Sequence, residues 1–325
     1  MADAGALFAL AWRVVPRLPA GLTRRAFELG GVLAHAARIA GVRRLEANLA
    51  RVADVPDAAA LRRLSRRAMR SYMRYYSELF QLRTVTRDQL RARVRTIGLR
   101  DYREQVTEHM VIGALPHMGN WDLAGAWSGQ HFAHVTTVAE TLEPESLFRE
   151  FLDLREGLGM TIFPYRKGTG VFRQLLGEAR TRPGFMPMLA DRDLGRDGVV
   201  VRVNGHPMRV APGAAAVALA TKQPFIGVFI HYERLRGARR RAAGSPWGIA
   251  IEFTAPIEPP AGAGSREAVA AMMQTWADHL TRALADHPQD WHMLQKCFLA
   301  DLDLDRLQGA GGRATPDGSI AGGAD

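Results

Sequence analysis

The sequence LPHMGNWD occupies residues 115–122, between a short apolar run and a predicted helix. The run at residues 111–115 has the length and composition of a buried strand. Asn120 is a favourable N-cap, so we expect a helix to begin at Trp121 and to carry Asp122 in its first turn. His117 is thereby predicted to lie at the carboxyl end of a strand, where ligand crevices form in α/β sheets.

Strands and helices are predicted to alternate from about residue 111 onward. Apolar runs at 134–139, 161–165, 185–190 and 224–231 predict buried strands, separated by helical stretches at 121–130, 144–157, 169–181 and 212–222. Residues 199–203 and 208–210 predict a hairpin, and a strand at 248–253 precedes a helix at about 265–286. This alternation predicts an α/β fold with a central, mostly parallel or mixed sheet flanked by helices.

The first 82 residues are predicted to form an amphipathic helical region. In residues 61–82 apolar side chains recur every three or four positions. The other face is cationic and carries Arg62, Arg66, Arg70 and Arg74, with Arg63 and Arg67 beside them. Such a helix either packs on a core with a solvated arginine face or lies at an anionic interface, and the periodicity leaves both interpretations open. Residues 6–29 are again apolar and cationic with almost no acids, which favours a membrane-docking surface.

Composition indicates a globular chain that binds polyanions. Of the 325 residues 47% are hydrophobic, and we expect one domain over residues 1–305 followed by a disordered, Gly- and Ala-rich tail at 306–325. Lysines and arginines total 43 against 33 acids, and the net charge of +10 suits phospholipid headgroups, nucleic acid or a phosphorylated ligand. The best membrane-span candidate, residues 26–42, contains charged side chains, so we expect the chain to lie on a membrane rather than cross it.

No metal site or cofactor is predicted. The single cysteine, Cys297, cannot form an intrachain disulfide and is expected to be a buried small residue. His131 and His134 lack nearby ligands that would complete a metal site. The start of the chain carries Asp3 and has no basic n-region, so we expect no signal peptide.

The residues around His117 suit general-base chemistry. A neutral imidazole can take the proton of an attacking hydroxyl, and Asp122 is predicted to orient the ring from the first turn of the following helix. Gly119 permits close backbone approach, N–H groups near Gly119 and Asn120 are expected to stabilise an oxyanion, and Trp121 adds an apolar wall. A His and an Asp five positions apart are more often structural, so the spacing by itself does not establish catalysis.

HMGNWD at residues 117–122 resembles the HxxxxD motif of the lysophospholipid acyltransferase superfamily. More narrowly, the chain is similar to the branch that contains lipid A late acyltransferases and actinobacterial phosphatidylinositol mannoside acyltransferases. Segments at 45–52, 72–78, 189–193 and 291–294 carry the same resemblance, which covers about residues 10–300. One departure is Lys222, which stands where a helix-ending glycine is usual.

The resemblance implies further site residues. It places a second acid in the segment Asp191-Arg192-Asp193. We favour Asp191, because it directly follows a predicted strand and its side chain can face the His117 pocket, and we expect it to support the imidazole together with Asp122. It also implies that Glu140 lies near an acceptor sugar together with Arg192 and Asp193, and that Arg155 contacts the donor, although a solvated helix arginine is the alternative. Arg166 and Lys167 join a predicted strand to a helix and are expected to form a phosphate cradle.

The function that the resemblance implies is acyl transfer from acyl-CoA. In its most specific form this is the transfer of a palmitoyl group to a mannose 6-hydroxyl of a phosphatidylinositol mannoside. The enzyme is then expected at the cytoplasmic face of the cell membrane, with the acyl chain in a hydrophobic groove. Two alternatives stay open: a lipid A-type acyltransferase that uses acyl carrier protein, and a non-catalytic membrane-binding homologue. A nucleic-acid binder is disfavoured because the arginine runs lie on helices with an apolar opposite face.

Overall fold

The structure of the protein is a computed structural model that describes residues 4–141, 145–165, 170–193 and 198–302. The strands within these ranges are β1 (Val94–Ile97), β2 (Met110–Leu115), β3 (Thr136–Glu140), β4 (Thr161–Tyr165), β5 (Gly184–Leu189), β6 (Val199–Val203), β7 (His206–Val210), β8 (Phe225–Arg234) and β9 (Trp247–Phe253). The α-helices are α1 (Ala4–Val14), α2 (Ala20–Ala36), α3 (Ala40–Val52), α4 (Ala58–Gln81), α5 (Arg87–Arg93), α6 (Gln105–Glu108), α7 (Trp121–His131), α8 (Glu145–Gly157), α9 (Val171–Thr181), α10 (Gly213–Thr221), α11 (Gly237–Ala243) and α12 (Ser265–Asp286).

A five-stranded sheet with the order β1-β9-β8-β2-β5 lies at the centre. Strands β1 and β9, β8 and β2, and β2 and β5 pair in parallel, whereas β8 and β9 are antiparallel. Strands β3 and β4 form a parallel pair beside β5, to which a parallel bridge between Val135 and Phe185 connects them. The predicted α/β fold with a mixed, mostly parallel sheet is confirmed.

Helices cover both faces of the sheet because β2 is buried on both sides. Ile112 and Ala114 pack in one hydrophobic core, which includes residues of α3, α10 and α12. Val111 and Leu115 pack in a second core with residues of α5 and α7. The indole N–H of Trp276 on α12 donates to the Ala114 carbonyl oxygen at 2.9 Å, which fixes α12 beneath β2.

Most predicted element boundaries agree with the structure to within a few residues. The edge strand β1 was not predicted, since its four residues alternate in exposure and carry little apolar signal. Lys222 ends α10 in the left-handed conformation, with φ 57°, that glycine usually adopts at this position. The predicted disordered tail at 306–325 lies outside the described residues.

Helix α4 carries the predicted arginine face only along part of its length. Arg62, Arg66 and Arg70 are exposed, but Arg74 is buried: it ion-pairs with Glu28 of α2 at 3.2 Å and its guanidinium lies 3.6 Å from the Trp247 ring centroid. The physical reason is helical drift, because a spacing of four residues advances each side chain about 40° around the axis. After three such steps Arg74 faces the protein, and its predicted place on the cationic face is wrong.

Apolar side chains remain exposed on the first two helices and their junction. The exposed set comprises Leu10, Val14, Leu18, Leu22, Leu29 and Leu33. Helix α2 packs along α4, so this surface belongs to the folded domain. Across the described ranges, none of the helices combines the length and the apolar character that spanning a bilayer requires.

Candidate active site

The register between β2 and β5 brings His117 and Asp191 together. Leu115 at the end of β2 pairs with Leu189 at the end of the parallel strand β5. The segments that follow β2 and β5 both continue for two residues in the same direction, so residues 117 and 191 meet at the carboxyl edge of the sheet. Crevices at that edge are the usual ligand sites of α/β sheets.

Asp191 holds His117 by both its ring and its backbone. The Nδ1 atom of His117 lies 2.6 Å from Oδ1 of Asp191, and the His117 backbone N–H donates to Oδ2 at 2.9 Å. The indole N–H of Trp291 donates to the same Oδ2 at 2.8 Å. Asp191 is 0% exposed, whereas the His117 side chain keeps 29% of its surface in contact with solvent. The imidazole is therefore fixed on its inner side and accessible on its outer side.

The electrostatics of this pair define which ring nitrogen can act as a base. Burial by itself would raise the pKa of Asp191, but the adjacent His117 charge and the hydrogen bonds from His117 and Trp291 outweigh it and lower the pKa. The ionised carboxylate only accepts hydrogen bonds, so Nδ1 of His117 carries the proton. In the neutral form of the ring Nε2 is then the nitrogen with a lone pair, which is the arrangement a general base requires.

Asp122 does not make the hydrogen bond to His117 that the sequence interpretation assigned to it. Its buried carboxylate accepts from the Tyr75 hydroxyl at 2.7 Å and pairs with Arg155 through two contacts of 2.8 and 3.3 Å. Trp121 stacks on Tyr75 with ring centroids 4.2 Å apart and meets the His117 ring edge-on at 5.5 Å. Asp122 thus fixes the wall beside His117, and the orienting carboxylate on the ring is that of Asp191.

Gly119 forms the turn between His117 and α7. Its φ of 63° lies in the left-handed region, and a Cβ at this position would approach the Ile230 carbonyl oxygen to 2.6 Å, so only glycine fits. The Gly119 N–H donates to the Asp290 carbonyl oxygen at 2.8 Å. The Gly119 N–H is therefore already used, so the oxyanion donors predicted near Gly119 and Asn120 have to be other N–H groups.

Asn120 caps α7 as predicted. Its side-chain oxygen accepts from the Leu123 N–H at 2.9 Å, and its amide nitrogen donates to Glu78 at 2.8 Å. Glu78 is buried, ion-pairs with Arg93 at 2.5 Å and accepts from the Tyr232 hydroxyl at 3.1 Å. The start of α7 is therefore anchored to α4 through a buried carboxylate.

A segment near the end of the described chain clamps the turn from the other side. The His292 N–H donates to the His117 carbonyl oxygen at 2.8 Å, and Met118 forms an antiparallel bridge with Trp291. The His292 ring is buried, which together with the positive charge of Arg74 lowers its pKa to about 3, so it stays neutral. The turn that carries His117 is consequently held by Asp191, by residues 290–292 and by the cap of α7.

The remaining predicted site residues lie at the rim of the site, on or beside the segment that follows Asp191, or fall outside the described residues. Glu140 ends β3 and is exposed, with a carboxylate oxygen 3.8 Å from Arg192, which also contacts Gln295. The Asp193 N–H donates to the Arg209 carbonyl oxygen at 3.2 Å. Glu140 thus faces Arg192, the residue that follows Asp191, whereas the phosphate cradle predicted at residues 166 and 167 lies outside the described ranges.

Comparison with known proteins identifies the family of this site. The family model of bacterial lipid A biosynthesis acyltransferases matches residues 4–300. The chain belongs to this acyltransferase family. It is similar to the phosphatidylinositol mannoside acyltransferases of two Mycobacterium tuberculosis strains, at 36% identity over 302 residues that cover 92% of this chain and 90% of each relative. The protein of the same name from Mycolicibacterium smegmatis is 34% identical over 301 residues, 92% of either chain.

Three structural partners in the acyltransferase site were not assigned roles from the sequence. Tyr75 binds Asp122, Glu78 binds Asn120, and Trp291 binds Asp191. All three lie in segments that carry the family resemblance, which was the available signal, and Tyr75 also belongs to the apolar face of the predicted helix at residues 61–82. Among the residues that the structure describes, no cluster of three or more His, Cys, Asp or Glu side chains is arranged to hold a metal ion.

Proposed function

We propose that this chain moves a palmitoyl group from acyl-CoA to a mannose 6-hydroxyl of a phosphatidylinositol mannoside, with His117 as the general base. The observation that carries the proposal is the His117–Asp191 pair at the carboxyl ends of β2 and β5, with Nδ1 and Oδ1 2.6 Å apart. The names of the mycobacterial relatives support this acceptor class.

The proposed reaction is a direct transfer in a ternary complex. Nε2 of His117 takes the proton of the sugar hydroxyl as its oxygen attacks the thioester carbonyl carbon. The tetrahedral oxyanion collapses, the carbon–sulfur bond breaks, and the coenzyme A thiolate leaves and takes up a proton from the imidazolium. Asp191 stabilises that imidazolium while it exists, because its carboxylate lies against Nδ1.

The oxyanion requires donors other than the Gly119 N–H. The first turn of a helix leaves N–H groups without intrahelical acceptors, and in α7 the side chain of Asn120 accepts only from the Leu123 N–H. We therefore assign oxyanion stabilisation to the N–H groups of Trp121 and Asp122, whose helix dipole also favours negative charge. Glu140 and Arg192 at the rim suit contact with sugar hydroxyls, and the hydrophobic acyl groove and the donor contact of Arg155 stay predictions.

The same proposal places the enzyme on the cytoplasmic face of the cell membrane. Exposed leucines on α1 and α2 lie among exposed cationic residues such as Arg13, Arg17 and Arg25. Apolar residues beside cations suit a surface that inserts shallowly among anionic headgroups. Both substrates are lipids or carry a lipid chain, so a surface of this kind would bring the site to them.

The test compares wild type with His117→Ala in assays that pair two donors with two acceptors. We expect coenzyme A release only with acyl-CoA and the phosphatidylinositol mannoside, and a loss of about 10²- to 10⁴-fold in the variant. Transfer from acyl carrier protein to a lipid A precursor would support the alternative lipid A-type function. Equal activity of variant and wild type would remove His117 from the mechanism, and vesicle binding of both proteins, which should be equal, is the control for a purely non-catalytic role.

A further inference from the structure

A cationic, aromatic cleft lies beside the exposed apolar residues of the first helix. It has a volume of about 450 Å³ and is bounded by α1, the following 3-10 turn, the end of α4 and α8. Its lining includes Trp12, Arg13, Arg17, Arg83 and Glu150. Three cations against one acid give the cleft a net positive charge, so it favours an anionic ligand.

The cleft is formed by ordered packing. Trp12 packs edge-on against Phe80 of α4 and Phe151 of α8, with ring centroids 4.9 and 5.7 Å apart. The buried Gln81 amide donates to the carbonyl oxygens of Val15 and Leu18, at 3.4 and 3.3 Å. These bonds tie both ends of the 3-10 turn that carries Arg17 to helix α4, so the cation is presented from a fixed backbone.

Trp12 and Arg83 contribute an indole ring and a cation to the lining of the cleft. The Trp12 indole N–H is buried and has no hydrogen-bond acceptor among the described residues. A buried donor of this kind costs about 1–3 kcal/mol when unmet, so a ligand oxygen that reached it would recover part of that cost. The Arg83 guanidinium lies 6.0 Å from the centroid of the same ring, so a cation and an N–H donor occur together.

The apolar surface next to the cleft indicates what kind of anion it binds. Leu10 and Val14 are exposed, and their spacing relative to Arg13 places all three on one face of α1. A free phosphate makes no apolar contact with these side chains, whereas the acyl chains of a phospholipid can pack against them. We propose that this cleft binds the phosphodiester of an anionic membrane phospholipid that is not itself the acyl acceptor. The inference rests on the membrane-docking part of the proposed function and is independent of the acyl transfer chemistry.

Dihexanoylphosphatidylglycerol, kept below its micelle concentration, is the probe, and isothermal titration calorimetry is the measurement. Wild type should bind it saturably at one site, and inorganic phosphate at least tenfold more weakly, because phosphate lacks chains. The double variant Arg17→Gln/Arg83→Gln should bind about 25-fold more weakly, since a basic residue near a lipid phosphate contributes about 1 kcal/mol, or fivefold. Trp12→Phe, which keeps the ring and removes the N–H, should lose about fivefold.

The matched control is Arg62→Gln/Arg66→Gln, which removes two exposed charges from α4 about 20 Å or more along the helix from the cleft. Equal weakening in both double variants, no saturable binding by wild type, or phosphate binding as tight as that of the lipid would each overturn the proposal. Circular dichroism melts check that the variants fold, and the arginine pair tests the site even if Trp12→Phe does not fold. Acyl transfer to a detergent-dispersed acceptor should be unchanged in the cleft variants. If wild type itself shows no acyl transfer, the proposed reaction is refuted and the lipid-binding result still stands.

Discussion

Replacing Asp191 by Asn should invert the tautomer of His117 with little change in shape. Three N–H groups converge on the Asp191 carboxylate: Nδ1–H and the backbone N–H of His117, and the indole N–H of Trp291. An asparagine supplies one acceptor oxygen and one NH₂ donor in the same space. If the oxygen takes the position of Oδ2 and accepts from the backbone and the indole, the NH₂ faces Nδ1. The ring proton must then move to Nε2, the atom proposed to receive the substrate proton.

The expected loss follows from the role of the base. We predict a fall in kcat of about 10³- to 10⁴-fold for Asp191→Asn, or about 4 to 5.5 kcal/mol of transition-state stabilisation. KM should change little, because the proposed substrate contacts at Glu140 and Arg192 are untouched. The opposite amide orientation would aim the NH₂ at two N–H donors, and the resulting buried clash would lower stability by about 1–3 kcal/mol.

The assay follows thiol release from palmitoyl-CoA in the presence of a phosphatidylinositol mannoside, with urea unfolding of each variant in parallel. Trp291→Phe is the matched control, since it removes a single hydrogen bond to Oδ2 and leaves the tautomer intact, and it should lose about tenfold or less. A folded Asp191→Asn protein with kcat within threefold of wild type would refute the reasoning. A larger loss in Asp122→Asn than in Asp191→Asn would return the orienting role to Asp122.

Three further outcomes are expected. Tyr75→Phe removes the hydroxyl that donates to buried Asp122 at 2.7 Å but keeps the ring, so the free energy of unfolding measured in urea should fall by about 2 kcal/mol; no change would mean that the bond contributes nothing. Gly119→Ala needs a left-handed alanine with its Cβ 2.6 Å from the Ile230 carbonyl oxygen, and should cost about 2 kcal/mol or more and abolish transfer, whereas wild-type stability and activity would contradict the described turn. Burial, with the nearby His287 and Arg95 charges, lowers the pKa of His231 to about 4, so its neutral form contributes stability above pH 6.5 that is lost as the pH falls toward 4; His231→Gln should flatten that decline in urea unfolding by up to about 3 kcal/mol, and an unchanged pH profile would count against it.

The sequence was sufficient for the fold class and for the strand and helix that flank His117. Apolar runs predicted β2, β4, β6 and most of β5 because buried strands need continuous hydrophobic side chains. Asn120 correctly indicated the start of α7 because capping is a local interaction between residues three apart. Both inferences depend only on neighbours along the chain, which is why they could be made without a structure.

The choice between Asp122 and Asp191 depended on sheet order and could not be made in that way. Asp122 is five positions from His117 and Asp191 is 74, so proximity in sequence favoured the former. Only the pairing of β2 with β5, in the register Leu115 to Leu189, brings the more distant carboxylate to Nδ1. The resemblance and the predicted strand end pointed to Asp191 as a second acid that supports the imidazole, but they did not show which of the two carboxylates contacts the ring.

Helix α4 connects the proposed docking surface to the site as one rigid element. Its first half presents exposed arginines. Its second half carries Tyr75 and Glu78, which bind Asp122 in the first turn of α7 and the N-cap of that helix, respectively. Glu28 of α2 ion-pairs with both Arg70 and Arg74, so the helix with exposed leucines is fixed to α4 just before Tyr75. Because α4 is continuous over 24 residues, about 36 Å, the orientation of His117 relative to the docking surface is set by packing within one helix pair. A site fixed in this way would meet a hydroxyl at the headgroup level without a hinge between the proposed docking surface and the proposed transfer site.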